Sequence, residues 1–411
     1  MKNKRVTSLV TGYGYDGEGV CRVEGKVTFL PFVIEGEEVE FYLEQETSSF
    51  CKGKLSKVIS PSPLRQTAPC PYFGRCGGCS YQHMSYENEI KIKKSLFVSH
   101  LKKVGYDGSI QVFPSSQRYG YRNKIKLFVQ DEKIGLKYRG GDKVIDIEAC
   151  KLVTSKINDA IVSVKNFIKG NKLFDIFNEI VIREEKEQLL INFYKKVDKT
   201  VDFQGLFLLL GRKSGIFETY KGFTIHVLGI EEIEIEESGL KCSFKPTSFH
   251  QVNNYIMPAL YERVLKESQG DNVLNCYSGA GVLSGILLTK SKRVIGIELG
   301  VSEHEDAEKF KERNNLKGLL NMHGDCAEVL GRIHEKFDCV VVDPPKAGMD
   351  KKVCQAINNF EANKLIYVSC DSATMVRDVT RLSNFKVTKA FLFDMFACTG
   401  EYEALIVMEK K

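Results

Sequence analysis

The chain has 411 residues, of which 43% are hydrophobic, 10% are aromatic and 27% are charged, with a formal net charge of +6. This is the composition of a globular protein, and no apolar run reaches the ~20 residues that a membrane-spanning helix needs. The 13 cysteines are odd in number, which argues against a disulfide scaffold and favours a reducing cytoplasm where some of them serve as ligands or nucleophiles.

The length predicts two or three domains, because a single hydrophobic core stops growing at about 250–300 residues. The first, residues 1–59, is predicted to be a small β-barrel. Short strand-like runs at 6–10, 19–23, 26–31 and 38–43 are separated by glycine turns. Such strands suit an OB-like barrel, a fold often used to bind RNA. The Ser-Pro-Ser-Pro sequence at 60–63 is predicted to be a linker, since neither proline can continue a strand ladder.

A dense group of cysteines follows the linker. Cys70, Cys76 and Cys79 are separated by five and two residues, and glycines between them let the backbone wrap around a ligand. Cys150, much later in the chain, would supply a fourth thiolate. Four cysteines suit either a [4Fe–4S] cluster or zinc, and the spacing alone does not choose between them.

Residues 90–126 are strongly basic, with nine Lys or Arg residues and the single acid Asp107. Aromatic residues are interleaved with the basic ones, a combination that neutralises phosphates and stacks on unpaired bases. The lysines of the first part fit a solvated helix face and an RNA contact equally well. These are Lys91, Lys93, Lys94, Lys102 and Lys103. For the run Arg-Tyr-Gly-Tyr-Arg-Asn-Lys at 118–124, RNA contact is the better interpretation.

From about residue 241, strand and helix patterns alternate, which predicts a parallel α/β sheet. The last gap between strands, 394–403, is too short for a crossover helix, so the final strand should be antiparallel. This is the layout of Rossmann-like methyltransferases, and the predicted domains are 1–59, 60–240 and 241–411. The seven strand candidates are 272–277, 293–298, 319–325, 337–343, 364–370, 386–394 and 403–409.

Polar residues stand at the ends of these strands. The first strand runs into 275–281, where glycines allow the backbone to approach a ligand closely. Ser284 replaces the third glycine of a dinucleotide fingerprint, which counts against NAD. Glu298 ends the second strand and is placed to bind a ribose diol. Asp325 and Asp343 end the next two strands, and the three acids together favour S-adenosylmethionine.

Cys370 ends the apolar strand candidate 364–370, and Asp371 follows it. A free cysteine most often packs in a core. The carboxyl ends of strands in an open α/β sheet line the ligand crevice, however, so this position favours a reactive cysteine.

In order and combination, these motifs resemble the RNA (uracil-5-)-methyltransferases, specifically the iron–sulfur branch that modifies 23S ribosomal RNA and carries an N-terminal TRAM domain. The resemblance covers nearly the whole chain. It rests on the C-x5-C-x2-C cluster and on the motifs at 121–124, 249–253, 343–345 and 369–371. It implies a seven-stranded class I methyltransferase domain behind the barrel and a central α+β domain.

The resemblance also implies functional residues. The implied [4Fe–4S] ligands are Cys70, Cys76, Cys79 and Cys150. The implied S-adenosylmethionine-binding residues are Gln251, Tyr277, Glu298, Asp325 and Asp343. Cys370 matches the nucleophile and Glu403 the proton-abstracting base.

The chemistry explains why these residue types are needed. Uracil C5 is a poor nucleophile towards a methyl sulfonium, and thiolate attack by Cys370 on C6 would make C5 nucleophilic. Glu403 would then remove the C5 proton so that elimination frees the cysteine. The target base would have to leave its RNA stack to reach the pocket.

Several positions depart from the family pattern. Asn275 replaces an Asp, Ser278 a Cys, Lys346 an Arg and Ser372 a Pro. In addition, the two histidines of the family's last motif are Cys398 and Glu401 here. Two alternatives stay open: the same chemistry on the T-loop of tRNA, and a non-catalytic RNA-binding or assembly factor. The expected partner is RNA, of the 23S class by resemblance, with neither DNA nor a membrane, and the protein is expected to be a cytoplasmic monomer.

Overall fold

The computed structural model describes residues 5–14 and 17–411. Within residues 5–60 of this described part, six strands form one sheet around a small core that contains Val10, Leu30 and Phe41. The four predicted strand runs are confirmed, and a short second strand and a long last strand are added. The strands are β1 (Arg5–Leu9), β2 (Gly12–Tyr13), β3 (Gly19–Val23), β4 (Lys26–Leu30), β5 (Glu38–Glu46) and β6 (Phe50–Ser60). Their order in the sheet is β1-β5-β6-β4-β3-β2.

The segment after the proline linker joins the C-terminal part of the molecule. Helix α1 (Tyr86–Lys102) begins after Ser85, whose hydroxyl accepts a hydrogen bond from the Asn88 amide, and strand β7 (Ile110–Phe113) follows. Phe97, Leu101 and Ile110 are buried in the core of the C-terminal sheet. Residues 86–113 therefore pack with that sheet, although the sequence places them in the central domain.

Residues 124–229 build a separate seven-stranded sheet with two helices packed against it. Its apolar core includes Ile157, Ile161 and Val164 of the longer helix. The strands are β8 (Lys124–Gln130), β9 (Lys133–Lys137), β10 (Val144–Asp146), β11 (Phe177–Glu185), β12 (Gln188–Lys195), β13 (Ser214–Tyr220) and β14 (Phe223–Gly229), and the helices are α2 (Ser155–Gly170) and α3 (Gln204–Leu210).

The predicted domain boundary at residue 240 falls inside a β-hairpin of strands β15 (Ile233–Glu237) and β16 (Leu240–Phe244). Phe244 of the second strand is buried with Ile286 and Phe310 of the C-terminal domain. Ile233 of the first strand is buried instead with Leu190 and Phe217 of the central sheet, so the hairpin packs against both domains.

Residues 110–113 and 272–410, all of which are described, form an eight-stranded sheet. The remaining elements are α4 (Met257–Glu267), β17 (Asn272–Cys276), α5 (Val282–Leu288), β18 (Arg293–Glu298), α6 (Val301–Arg313), β19 (Leu319–His323), α7 (Cys326–Leu330), β20 (Phe337–Val342), α8 (Lys351–Asn359), β21 (Ala362–Ser369), α9 (Ser372–Arg381), β22 (Phe385–Phe393) and β23 (Glu403–Lys410). The sheet order is β19-β18-β17-β20-β21-β23-β22-β7.

The seven predicted strands of this sheet are confirmed. Strand β23 is antiparallel to both of its neighbours, as predicted from the short gap before it. The eighth strand, β7, was not predicted; it adds in parallel to β22 at the sheet edge. None of the described helices is long and apolar enough to cross a membrane.

Candidate active site

Cys370 lies in a tightly held turn between β21 and α9. One carboxylate oxygen of Asp371 accepts hydrogen bonds from the amides of Ala373 and Thr374, at 3.0 and 2.9 Å, and so caps α9. The Ser369 hydroxyl accepts the Asp371 amide at 3.1 Å. These bonds fix the turn and leave the half-buried Cys370 thiol on the wall of a cavity of about 600 Å³.

The walls of this cavity come from distant parts of the chain. Arg122 and Arg139 reach it from the central region, and Ser80 from the cysteine-rich loop. Glu401 and Tyr402 line it from the segment before β23. Sequence reasoning missed Arg139 and Ser80, because no local pattern connects them with Cys370.

Glu403 lies at the start of β23 and Asp343 directly after β20, and these two strands flank β21, which ends before Cys370. Burial raises the pKa of the Glu403 carboxyl well above its usual range, and the charges of Asp343 and Glu401 raise it further. Burial raises the pKa of Asp343 to about 7. The charges of Glu403 and Asp343 act on Cys370, although neither carboxylate lines the Cys370 cavity.

The Cys370 thiol has its pKa raised to about 12, first by burial and then by the charges of Glu403, Glu401 and Asp343. The ammonium group of Lys346 acts in the opposite direction. The thiol form of Cys370 is therefore favoured. A nearby positive charge or a proton acceptor is needed to form the thiolate.

Lys346 and Glu401 form an ion pair beside Cys370. Both residues depart from the family pattern, and the structure shows that the two departures contact each other. The Lys346 loop is fixed to α9, since the Thr374 hydroxyl donates to the Lys346 carbonyl at 3.2 Å and Arg377 donates to the Ala347 carbonyl at 2.8 Å.

Three of the residues predicted to bind the cofactor, Tyr277, Glu298 and Asp325, lie at the carboxyl ends of β17, β18 and β19. Tyr277 has a left-handed backbone with φ 63°, a conformation that bulky residues adopt mainly at functional sites. The two Glu298 carboxylate oxygens accept the amides of Gly279 at 2.8 Å and Gly300 at 2.7 Å. Asp325 caps α7 by accepting the Ala327 amide at 2.9 Å.

Gln251 lies in the segment 248–253, which contacts α6 at one end and the loop before β23 at the other. Ser248 donates to the Asp306 carboxylate at 3.1 Å, and Asn253 donates to the Met395 carbonyl at 3.2 Å. The carbonyl of Gln251 itself accepts the Asn123 side-chain amide at 3.0 Å. Gln251 is therefore placed between the cofactor end and the catalytic end of the sheet.

The structure corrects part of the predicted RNA-binding run 118–124. Arg118 is directed inward: it pairs with Glu89 at 3.0 Å and donates to the carbonyl of Tyr81 at 2.9 Å. Tyr121 is buried and donates to the Ala397 carbonyl at 3.0 Å. Arg122 is the member of this run that lines the Cys370 cavity. Most of the run supports the fold, because its polar groups have buried partners.

Lys93 is also corrected, because it is neither on a solvated face nor available to RNA. Its side chain is 0% exposed and lies between Glu89 at 2.9 Å and Asp394 at 2.6 Å. It also donates to the Phe396 carbonyl at 3.2 Å, and the Cys398 amide donates to Glu89 at 2.6 Å. Hydrogen bonds and an ion pair therefore hold the loop before Glu403 against helix α1.

The four candidate ligand cysteines line one cavity of about 170 Å³ together with the basic residues Arg122, Lys126 and Lys151. Burial raises the thiol pKa of three of them, Cys76, Cys79 and Cys150. Among the described residues, no group of three or more His, Cys, Asp or Glu side chains is arranged to hold a metal ion. The four thiols thus surround a common space without converging on one point.

The chain is similar to known methyltransferases, in its C-terminal part and over its whole length. Residues 226–411 match the family model of tRNA (uracil-5-)-methyltransferases. An uncharacterized RNA methyltransferase of Caldanaerobacter subterraneus subsp. tengcongensis is 30% identical over 448 aligned positions, which cover 100% of this chain and 99% of that relative. The chain belongs to the RNA uracil-5-methyltransferase family. It is an S-adenosylmethionine-dependent RNA (uracil-C5) methyltransferase, which sets the non-catalytic alternative aside.

Two further similarities extend over nearly the whole methyltransferase. The 23S rRNA (uracil(1939)-C(5))-methyltransferase RlmD of Francisella tularensis subsp. novicida is 27% identical, covering 98% of this chain and 96% of that protein. The Pyrococcus abyssi tRNA (uracil-54, C5)-methyltransferase in complex with S-adenosyl-L-homocysteine superposes with a TM-score of 0.82 at 24% identity, covering 98% and 100% of the two chains. The second similarity confirms the class I methyltransferase fold.

Proposed function

We propose that the methyltransferase modifies C5 of uridine in 23S ribosomal RNA through a covalent adduct of Cys370. The observation that carries the mechanism is the position of the Cys370 thiol on a 600 Å³ cavity with Glu403 and Asp343 within electrostatic reach. The choice of 23S RNA is supported by the similarity to RlmD of Francisella tularensis over almost the full length of both chains.

The reaction begins from the thiolate of Cys370, after the thiol proton has passed to solvent in the cavity. The sulfur bonds to C6 of the target uracil, and the C5–C6 π electrons move towards C5 and O4. When bound, S-adenosylmethionine supplies the methyl group as an electrophilic sulfonium. After C5 has gained the methyl group, Glu403 in its ionised form takes the C5 proton, and its raised pKa makes that carboxylate a stronger base. The C–H electron pair re-forms the C5–C6 double bond and expels the sulfur of Cys370. Asp343, with a pKa near 7, can donate a hydrogen bond to the O4 enolate when it is protonated.

The residues at the ends of β17 to β19 fit the cofactor. Gly281 has φ 82°, and a Cβ at this position would lie 3.1 Å from the Ala307 side chain, so the loop needs a glycine to pack this closely. We assign the ribose hydroxyls to Glu298 and the adenine side to Asp325. Tyr277, Gln251 and Asp343 complete the proposed binding residues.

We propose a [4Fe–4S] cluster as the group held by Cys70, Cys76, Cys79 and Cys150. An all-thiolate set around one cavity fits such a cluster, and the basic side chains that share the cavity would offset its negative charge. Methyl transfer from a sulfonium needs no electron, so the proposed role is structural. Anaerobically purified protein should be brown with near-stoichiometric iron and sulfide, and Cys76→Ser should lose both. Colourless protein with one zinc would overturn the assignment.

The N-terminal sheet is proposed to act as a TRAM-like, OB-type RNA-binding barrel, and the three predicted domains remain a proposal at their boundaries. We also propose that the protein works as a cytoplasmic monomer. The odd count of 13 cysteines in the sequence supports a reducing compartment.

Two variants test the mechanism. Cys370→Ala should form no covalent RNA adduct and no product, since C6 is never attacked. Glu403→Gln should still allow attack and methyl transfer, so it should accumulate a protein–RNA adduct that survives denaturing electrophoresis. If Cys370→Ala still methylates uridine at C5, the mechanism is wrong, and if Glu403→Gln turns over normally, the base is misassigned.

The substrate is tested by mapping 5-methyluridine in RNA from cells that lack this gene. Loss of the mark from 23S RNA supports the proposal. Loss from the T-loop of tRNA would instead support the alternative substrate, a T-loop uridine. The chain has the same fold as the Pyrococcus abyssi tRNA (uracil-54, C5)-methyltransferase.

A further inference from the structure

Two short hydrogen bonds connect helix α1 to the segment that carries Glu403. His100 Nδ1 lies 2.6 Å from the Ser372 hydroxyl, which in turn lies 2.6 Å from the Tyr402 hydroxyl. These three residues are only 5%, 6% and 6% exposed, so water competes little for the two bonds. The Tyr402 ring also packs against Phe97 of the same helix, with ring centroids 5.7 Å apart.

The hydrogen-bonded chain spans the two reacting groups. Ser372 follows Cys370 by two positions, and Tyr402 directly precedes Glu403. The backbone ladder between β21 and β23 ends at the pair Ser369–Ala404, immediately before Cys370 and Glu403. Beyond that point, the side chains of His100, Ser372 and Tyr402 make a further connection between the nucleophile turn and the base.

The sequence of this chain makes the connection possible. A proline at position 372, as in the family pattern, has no hydroxyl to offer, whereas Ser372 accepts or donates two hydrogen bonds. The same chain lacks both family histidines, at Cys398 and Glu401, and the imidazole that borders the Cys370 cavity comes instead from His100 of α1.

We propose that His100 is a positioning residue of the methyl-transfer site, acting through Ser372 and Tyr402 to fix Cys370 and Glu403 relative to one another. This inference rests on the proposed roles of Cys370 and Glu403. The physical reason is the steep dependence of catalysis on geometry, because a displacement of about 1 Å can slow a reaction on the order of 100-fold.

Helix α1 contacts the catalytic segments along most of its length. Glu89, Lys93, Phe97 and His100 recur at helical spacing along one face of α1, and each contacts the loop before β23, Tyr402 or Ser372. The buried ion pairs at one end of this stripe hold the loop, and His100 at the other end reaches the turn after Cys370.

The test removes each of the two hydrogen bonds in turn, His100–Ser372 and Ser372–Tyr402. His100→Leu and Tyr402→Phe should each lower kcat about 10- to 100-fold, while KM for RNA and the affinity for S-adenosylmethionine change less than about 2-fold. Tyr402→Phe keeps the ring that packs against Phe97, so this variant should fold normally and its loss of rate can be attributed to the missing hydroxyl. The double variant should be no slower than the slower single variant, because both changes break one chain. His100→Asn, whose amide occupies the place of Nδ1, should recover most of the rate.

Thr380→Val is the matched control, since its exposed hydroxyl on the same helix α9 donates to the Arg377 carbonyl at 2.6 Å, away from the site. It should turn over at the wild-type rate. Additive losses in the double variant, or a raised KM with unchanged kcat, would overturn the positioning role.

Trapping with 5-fluorouridine RNA separates this inference from the proposed function. The trap needs Cys370 but no proton abstraction, because the fluorine at C5 cannot leave as a proton. In His100→Leu it should slow less than full turnover does. If wild-type protein forms no adduct, the proposed mechanism fails; if wild-type protein is trapped and His100→Leu turns over normally, the positioning role alone fails.

Discussion

The cofactor end and the catalytic end of the C-terminal sheet are built in different ways. At the cofactor end, each acid is held by backbone amides close to it in the chain or in the loop after the neighbouring strand, as Glu298 is by Gly300 and Gly279. At the catalytic end, the loop before Glu403 is held by residues about 300 positions away, such as Lys93 and Glu89.

Cofactor binding and the positioning of the reacting groups therefore depend on different parts of the molecule. A cofactor site made from strand ends and short turns needs little beyond the sheet itself. The nucleophile and the base need relative positions that the sheet alone does not fix, and helix α1 supplies the additional contacts. The comparison predicts that changes in α1 should damage catalysis more than cofactor binding, and that changes at the strand ends should do the reverse.

The largest expected effect is on stability. Lys93→Met leaves the buried carboxylates of Glu89 and Asp394 without their shared cation, so the free energy of unfolding should fall by about 3–5 kcal/mol. Denaturant unfolding measures this loss. In protein that remains folded, methyl transfer should fall further than the affinity for S-adenosylmethionine, measured by calorimetry.

The matched control is Lys91→Met, two residues earlier on the same helix. Its ion pair with Glu87 is exposed on both sides, so the stability should change by only about 0.5 kcal/mol. Equal effects of the two substitutions would show that the buried cluster does not hold the catalytic loop.

The second prediction addresses the cofactor end. Glu298→Gln leaves one oxygen where two amides need acceptors, and it removes the charge proposed to bind the ribose. The affinity for S-adenosylmethionine should fall about 10- to 100-fold, whereas RNA affinity should stay within about 2-fold. Glu312→Gln, an exposed change on α6, is the control. A Glu298→Gln protein that binds the cofactor normally would contradict the ribose assignment.

The third prediction concerns RNA. Arg122→Ala should weaken RNA binding and reduce the slope of its salt dependence by about 1, with cofactor affinity unchanged. Arg212→Ala, exposed and outside both cavities, should leave the slope as it is. Lys124 differs from Arg122 because burial lowers its pKa to about 8, so its replacement should affect stability more than RNA binding. An unchanged slope in Arg122→Ala would remove this residue from the RNA interface.

The same contrast explains how much could be predicted from the sequence. The seven strands and the acids at their ends follow local patterns, and Glu298 and Asp343 lie where those patterns place them. Charge density alone misjudged Lys93 and Arg118, because burial beside Glu89 depends on contacts that no local window contains.

The position of β7 in the C-terminal sheet could not be predicted for a similar reason. Its strand Ile110–Phe113 joins β22, which lies almost 280 residues later. The chemistry-bearing residues at strand ends are thus readable from one sequence, whereas the elements that hold them in place are settled by tertiary packing.

The smallest expected effect comes from the Lys346–Glu401 ion pair at the cavity. Lys346 lowers the pKa of the Cys370 thiol and Glu401 raises it. Lys346→Met should therefore slow alkylation of Cys370 by iodoacetamide at pH 8, and Glu401→Gln should speed it. Both groups are more than half exposed, so solvent screening limits each change to about 3-fold.

Peptide mass spectrometry can follow the alkylation of Cys370 separately from the other cysteines. Below the pKa of the thiol, the rate is proportional to the thiolate fraction, so a lower pKa gives faster alkylation at the same pH. The double variant should return close to the wild-type rate, because the two charges act in opposite directions. Lys351→Met, an exposed change at the start of α8, should have no effect. If Lys346→Met instead speeds alkylation, the lysine shields the thiol more than it favours the thiolate, and its electrostatic role is wrong.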